Sequence, residues 1–454
     1  MQLEAIIQFF AWFSGILSTA GQAVWLPVFM FILAMVFGAK VGTAVRCAIT
    51  LGVAWVGLQV VLGLFFTAMV PPTVAMIERT GVHLAAIDVG WPPMAAIAFG
   101  TTVGALIIPI GIIVNLALLG LNLTKTLDID IWNFWHWAFV GGTVYQFTGD
   151  FFFSVLAAVA YEVMCLKVGD WTVKPLWDLF PGYKGYSLPH GGGWVGAIHI
   201  IALFKPIIDR IPTPKADPET VRKRLGVLGE PIVMGLILGI VIGILAGYDI
   251  LKIAVLGINS AAVMLLLPRM IGILMEGLTG ISDVVASFVK TRFPGREIYI
   301  GLDAAVAIGD PTNVAAALIL IPFVLLFAIV TPWITVMPFA DLAATPFFTV
   351  AVTPFMHADL IKTLLLSLIV MFYWQSVGSW WSPIFTETAK AIGAIAPDAA
   401  PIGCIWLQAM IPLAWLGAQF PLVVGYLMFA VVIVILLFAD RVKALRDIFG
   451  KLYK

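Results

Sequence analysis

Long apolar stretches, interrupted by few charges, set the pattern of this chain. No Asp, Glu, Lys or Arg occurs from Val89 to Thr124, from Pro311 to Ala340, or from Ala399 to Ala439. A membrane-crossing helix needs about 20 predominantly apolar residues, so each run holds one or two crossings. Backbone amides and carbonyls inside lipid must be satisfied within the segment, which predicts helices. A membrane barrel would instead show segments of about ten residues with alternating polarity, and these runs do not alternate. Summed over the chain, the runs predict an all-α polytopic membrane protein with about 11 transmembrane helices and two shorter re-entrant hairpins.

Composition agrees with that pattern. Of the 454 residues, 62% are hydrophobic and only 11% charged, where a soluble domain carries about 25% charged residues. The 25 basic residues balance the 25 acidic ones, so no bulk charge points to nucleic acid. The cysteines Cys47, Cys165 and Cys404 are far apart and form no metal-binding spacing, which reads as small residues packed in helices. Neither a metal nor a cofactor is expected. The N-terminal stretch lacks the basic region and small-residue cleavage site of a signal peptide, so it reads as retained.

Basic loops suggest orientation. Lys40 and Arg46 flank one turn, and Lys205, Arg210, Lys215, Arg222, Lys223 and Arg224 crowd another. Lys290, Arg292 and Arg296 form a third patch, and the tail RVKALRDIFGKLYK follows Asp440. These regions are expected on the cytoplasmic side, with an outside N-terminus and a cytoplasmic C-terminus. Opposite termini require an odd number of crossings.

A weak internal repeat runs through the chain. The segment from Ile87 resembles that from Gly301: each carries an early Asp, small residues, and a Pro within an apolar helix. Asp88 aligns with Asp303 (303 − 88 = 215) and Pro109 with Pro322 (322 − 109 = 213). The segments from Leu26 and Glu230 match at a similar offset (230 − 26 = 204). Positive charge follows the opening helix in the first half but precedes it in the second, which predicts inverted repeats. The expected division is residues 1–204, a cytoplasmic basic loop at 205–226, a second half at 227–370, and C-terminal helices with a tail at 371–454.

Ionisable residues inside apolar segments are costly and usually functional. Asp88 lies in DVGWPP beside Trp91, where Pro92 and Pro93 break a helix. Asp303 opens the corresponding segment, and Asp310, Pro311 and Asn313 interrupt it. Broken helices between long apolar ones point to a substrate site, although the same carboxylates serve equally as helix caps. His136 stands among Trp132, Trp135 and Trp137, residues suited to an interfacial aromatic belt or to stacking on a sugar ring. His190 precedes three glycines that permit close backbone approach. Glu230 before Pro231 reads as a cap and as a lesser binding candidate. No P-loop, dinucleotide fingerprint, HExxH or nucleophile elbow is present.

Several blocks together resemble enzyme IIC, the membrane subunit of bacterial sugar phosphotransferase systems, in its galactitol-type branch within the ascorbate–galactitol superfamily. They are DVGWP (Asp88 to Pro92), NLALLGLNLTKTLDIDIWNFWH (Asn115 to His136), KVGDW (Lys167 to Trp171), PHG (Pro189 to Gly191), GEPIVMGLILGIVIGILAGYD (Gly229 to Asp249), AAVMLLLPR (Ala261 to Arg269), YIGLDAAVAIGDP (Tyr299 to Pro311) and MPFADLA (Met337 to Ala343). Their order resembles the family's from roughly residue 20 to 360, while Asp310 stands where relatives often carry His. The resemblance implies a homodimer, an elevator-like motion, and a polyol held by Asp88, His136, His190 and Asp303. It further implies soluble IIA and IIB partners, with a phosphocysteine on IIB phosphorylating the substrate, so this chain would hold no phosphoryl-transfer site of its own. Two rivals stand beside it. An ion-coupled secondary transporter would use Asp88 and Asp303 as cation ligands. A lipid-directed enzyme with His136 and His190 as bases would need a nearby nucleophile, and the sequence shows none.

Overall fold

The computed structural model describes residues 22–80, 84, 86–128, 130–214, 231–292, 296–338, 340–342, 344–398, 401–405 and 422–442. Helices α1 (Gln22–Val36) and α2 (Val41–Thr80) come first, then β1 (Ala86–Asp88), α3 (Trp91–Gly100), α4 (Gly104–Gly120) and β2 (Thr126–Asp128). The first half continues through α5 (Phe134–Thr148), α6 (Phe151–Trp171), α7 (Val173–Leu179), β3 (Tyr186–Ser187) and α8 (Gly191–Ile208). The second half holds α9 (Pro231–Leu245), α10 (Ile250–Arg292), β4 (Tyr299–Gly301), α11 (Pro311–Val330) and β5 (Val336–Met337). Short α12 (Thr345–Thr349) and α13 (Val352–Phe355) lead to α14 (Leu360–Ala391) and β6 (Ile402–Gly403). A last helix, α15 (Leu422–Phe438), packs on α6.

Among the described residues, α6, α8, α11 and α14 are each long and apolar enough to cross a bilayer, and several shorter apolar helices accompany them. The chain is a multi-pass membrane protein. Helices α2 and α10 span 40 and 43 residues. At about 1.5 Å per residue each is at least ~60 Å long, roughly twice the hydrocarbon thickness of a bilayer. Neither can therefore cross end to end along the membrane normal. Together with α1 and α9 they pack chiefly on one another, and meet the strand-bearing part where α10 touches β4 and the turn after it and where α9 touches α11.

The repeat extends further than the sequence alone suggests. Helices α1 and α9 begin 209 residues apart (231 − 22), as do α2 and α10 (250 − 41). Both α1 and α9 end in the same cap. Gly38 (φ 86°) donates to Met35 O and Ala39 to Ala34 O, while Gly247 (φ 75°) donates to Ile244 O and Tyr248 to Gly243 O. This crossed pair of bonds requires a left-handed residue, which glycine adopts without a Cβ clash. Asp150 caps α6 by accepting from Phe153 N, and Asp359, another 209 residues on (359 − 150), caps α14 by accepting from Lys362 N. A left-handed residue precedes each cap, Gly149 (φ 65°) and Ala358 (φ 58°). The boundary expected at residue 370 falls inside α14, whose counterpart is α6.

The all-α expectation needs one amendment. Six strands of two or three residues form two three-stranded parallel sheets, ordered β5-β1-β6 and β2-β4-β3. In the first, Ile87 pairs with both Met337 and Ile402; in the second, Ile300 pairs with both Leu127 and Tyr186. Each half therefore supplies the central strand of a sheet whose edges belong to the other half. The physical cause is backbone accounting. These extended segments are buried, and an unpaired buried amide or carbonyl costs as much as a lost hydrogen bond, so they pair across the halves.

Candidate functional site

The polypeptide leaving β1, β2 and β4 turns sharply, and acidic side chains hold the turn. After β2, Asp128 accepts from Asp130 N (3.1 Å) and from Asn133 Nδ2 at both oxygens (3.1 Å). Asp130 accepts from Trp132 N (3.2 Å) and, across to the other half, from Asp303 N (3.0 Å). Asp303 lies just beyond β4, where one oxygen caps the following turn through Ala305 N (2.7 Å) and the other meets His190 Nδ1 at 3.1 Å. His190 comes from the turn after β3, and the His136 ring on α5 stands edge-on to it with centroids 4.6 Å apart. His136 Nδ1 contacts Asn133 O at 3.0 Å. In the tautomer that donates there, Nε2 is a lone-pair acceptor, and it has no partner among the described residues. All five of these Asp and His side chains are buried. His136, His190 and Asp303, anticipated from sequence, thus converge on one centre.

Asp88 lies elsewhere, in a second centre built the same way around the other sheet. Its carboxylate accepts from Gly90 N (3.1 Å) and Asp341 N (2.8 Å). Asp341 accepts from Trp91 N (3.1 Å) and from the Cys404 thiol (2.8 Å). Ligand atoms of Asp88, Asp341 and Cys404 lie within 4.8 Å of one another. Asp341 and Asp130 are counterparts (341 − 130 = 211), each accepting a backbone N–H from the turn after the opposite half's central strand. The two centres approach each other through Trp91 and Trp132, whose rings meet edge to face at 5.8 Å. Asp88 and Asp303 are therefore related by the repeat, yet they are bonded to different partners.

The remaining candidates fall into structural places. Asp310 caps α11, accepting from Thr312 N (2.9 Å) and Asn313 N (3.0 Å). Asn313 donates to Ile308 O and Pro346 O and accepts from Thr349 Oγ1 (2.6 Å), stitching α11 to the short helices. Glu230 lies outside the described residues. Trp132, Trp135 and Trp137 are 8%, 2% and 0% exposed, so they are core aromatics and not an interfacial belt. Cys47 and Cys165 are buried helix residues as expected, but Cys404 follows strand β6 and serves Asp341.

Sequence reasoning passed over Asp128, Asp130, Asn133, Glu162, Asp341 and Cys404. Glu162 is the plainest omission: it lies mid-helix in α6, fully buried, and neither carboxyl oxygen has a partner among the described residues. An acid inside an apolar helix is itself the signal that would have found it. Lys167, one turn and a half further along the same helix, pairs with Asp440 beyond α15 and with Asp170 (3.6 Å). At this end of the molecule Lys125 meets Glu297 at 2.6 Å, and the ammonium holds that carboxyl below its ordinary range.

A permease IIC component of Escherichia coli (strain K12) is 36% identical over 397 residues, covering 87% of this chain and 90% of the relative. The galactitol-specific EIIC components of the PTS system from Escherichia coli K12 and O157:H7 are each 33% identical over 379 residues, covering 83% of both partners. The family profile described as the PTS system sugar-specific permease component, EIIC-GAT, matches residues 15–400, a span that contains the Asp and His residues of both centres and the strands β1 to β5, with β6 and Cys404 just beyond it. With that extent of match, the chain belongs to the sugar-specific permease components of the phosphotransferase system.

Proposed function

We propose that this permease carries a galactitol-like sugar alcohol across the bacterial inner membrane. In this reading the polyol is bound at the His136–His190–Asp303 centre and handed to a separate phosphorylated IIB subunit, itself recharged by IIA. The observation that carries the reading is the His190–Asp303 pair at 3.1 Å, formed where strands of the two halves meet and flanked by His136. Imidazole and carboxylate suit a ligand rich in hydroxyls, since one hydroxyl both donates and accepts. The galactitol named for two relatives sets the substrate class. On emergence, a polyol hydroxyl forms the new P–O bond as the P–S bond to the IIB cysteine breaks and the hydroxyl proton leaves.

The wider architecture of the proposal comprises about eleven crossings in inverted repeats, two re-entrant hairpins around the strands, and an N-terminus outside with a cytoplasmic C-terminus. The separate packing of α1, α2, α9 and α10 supports a homodimer whose scaffold stays fixed while the strand-bearing part moves as an elevator. The sequence divisions near residues 205–226 separate the two halves in this scheme. Uptake of labelled galactitol by membrane vesicles tests it. Accumulation as a phosphate ester should require phosphoenolpyruvate with the soluble partners and survive an ionophore. Accumulation of free galactitol that collapses with the ion gradient would show an ion-coupled transporter instead.

A further inference from the structure

The contacts around His136, His190 and Asp303 close into a ring. His190 meets Asp303 at 3.1 Å, Asp303 N donates to Asp130, Asp130 N donates to Asp128, and Asp128 holds the Asn133 amide. Asn133 O contacts His136 Nδ1 at 3.0 Å, and the His136 ring leads back to His190. Within this ring Asn133, which is fully buried, is used in an unusual way. It occupies the N-cap of α5, where an asparagine ordinarily turns its side-chain oxygen onto the backbone N–H groups of the first turn. Here the side chain makes no capping bond, and Nδ2 reaches both oxygens of Asp128 at 3.1 Å. Turning the amide over would set Oδ1 against an oxygen that already accepts from Asp130 N, so Nδ2 faces Asp128 and Oδ1 faces away. Oδ1 is then buried with no partner among the described residues, as is Nε2 of His136. The other buried asparagines differ. Asn115 donates to Thr126 O and accepts from Asp128 N, and Asn313 donates to Ile308 O and accepts from Thr349 Oγ1. Holding Asp128 accounts for one end of the Asn133 amide only.

We infer that Asn133 Oδ1 is a further polyol-binding group, accepting a hydroxyl hydrogen of the substrate on the same face of the chain as His136. The inference rests on the polyol-permease reading above and adds a residue to the same site. Asn133 and His136 stand three residues apart at the start of α5, a spacing that makes neighbours on a helix. A buried acceptor left unmatched costs free energy until a donor arrives, and a polyol brings a hydroxyl on every carbon. The amide oxygen bears no formal charge, so it selects by the presence of that hydroxyl. A site built to bond a hydroxyl rejects the analogue that lacks it, because the protein group is then left unpaired. Asp128 acts through Asn133 as a positioning residue, since its bonds to Nδ2 fix which end of the amide faces the guest.

The test is calorimetry on the full-length protein in detergent, with galactitol and the complete set of monodeoxygalactitols. The parent protein should bind galactitol and lose about tenfold for the compound lacking the hydroxyl that Asn133 takes. Asn133→Leu should bind galactitol about tenfold more weakly and no longer distinguish it from that compound. The penalties for the remaining hydroxyls should persist. Asn133→Ser, which keeps a donor for Asp128 and withdraws the amide oxygen, should show the same pattern. A purely structural role predicts a different result, in which every ligand weakens by one factor and no penalty disappears. That result overturns the assignment. So does a parent protein that binds all the monodeoxygalactitols within about threefold of galactitol, a measurement that needs no variant. Both outcomes leave the polyol reading standing. Failure of the parent protein to bind galactitol overturns the polyol reading, and this assignment with it.

Discussion

Gly191 opens helix α8 beside the His136–His190–Asp303 cluster, and replacing it with alanine tests how closely the two histidines are fitted. A Cβ placed there would lie 2.7 Å from His136 Cβ, 2.9 Å from His136 Cγ and 3.0 Å from Tyr161 Cε1. Ordinary carbon contacts are about 3.5–4.0 Å, so the overlap approaches 1 Å against atoms that cannot swing aside. Tyr161 is pinned because its hydroxyl donates to Gly191 O at 2.7 Å, and His136 is fully buried. Overpacking of this kind costs about 1–3 kcal/mol. The strain falls on the 4.6 Å separation between the His136 and His190 rings. If the site is restored on binding, galactitol affinity drops by about 5- to 150-fold. The control is Gly182→Ala, whose Cβ would meet nothing within 4 Å and whose effect should stay within about 0.5 kcal/mol. Thermal melting in detergent and equilibrium binding read both variants. Equal behaviour of the two alanines, in melting and in affinity, would refute the argument that the ring pair is held by close packing.

Three other outcomes are expected. Asp303→Asn and His190→Ala should each abolish galactitol binding by calorimetry while the elution profile of the parent protein is kept, because each removes one side of the 3.1 Å pair. Ala358→Gly should raise thermal stability by about 0.5–1 kcal/mol, since Ala358 holds φ 58° where its repeat counterpart is a glycine and a left-handed alanine costs about 1–2 kcal/mol. Asp150 is held below the ordinary carboxylate range by the Phe153 N–H and the Tyr426 hydroxyl. Its folded pKa is depressed, so its stabilisation is complete above the unfolded value and is lost as pH falls through the folded one. Melting profiles from neutral pH to strong acid should therefore show a shallower acid-side loss in Asp150→Asn than in the parent protein.

The membrane character and the repeat were legible because both rest on long signals. Charge-free runs reveal lipid exposure directly, and offsets of 213 and 215 between apolar segments lie near the 209 shared by the opening helices. His136, His190 and Asp303 stood out as polar residues in apolar or glycine-rich surroundings. The strands were not legible, because two or three residues are too few to display a period of two. For the same reason the partnership of Asp130 with Asp303, 173 residues apart, left no local trace. Asp88 and Asp303 looked like partners because they occupy similar places in each repeat. A repeat equates positions without making them neighbours, and here Asp88 and Asp303 each bond to the turns that follow the strands of a different sheet.

The exchange of central strands carries a consequence for biogenesis. β1 emerges from the ribosome early, yet its partners are residues 336–337 and 402–403. For most of synthesis its amides must therefore be shielded by water, by the insertion machinery or by lipid headgroups, and pairing over such a sequence separation is slow. Fragments produced by a cut between α8 and α9 should insert as helices but fail to complete either sheet alone. Co-expression of the two fragments should restore both sheets, since each contains the strand its counterpart lacks.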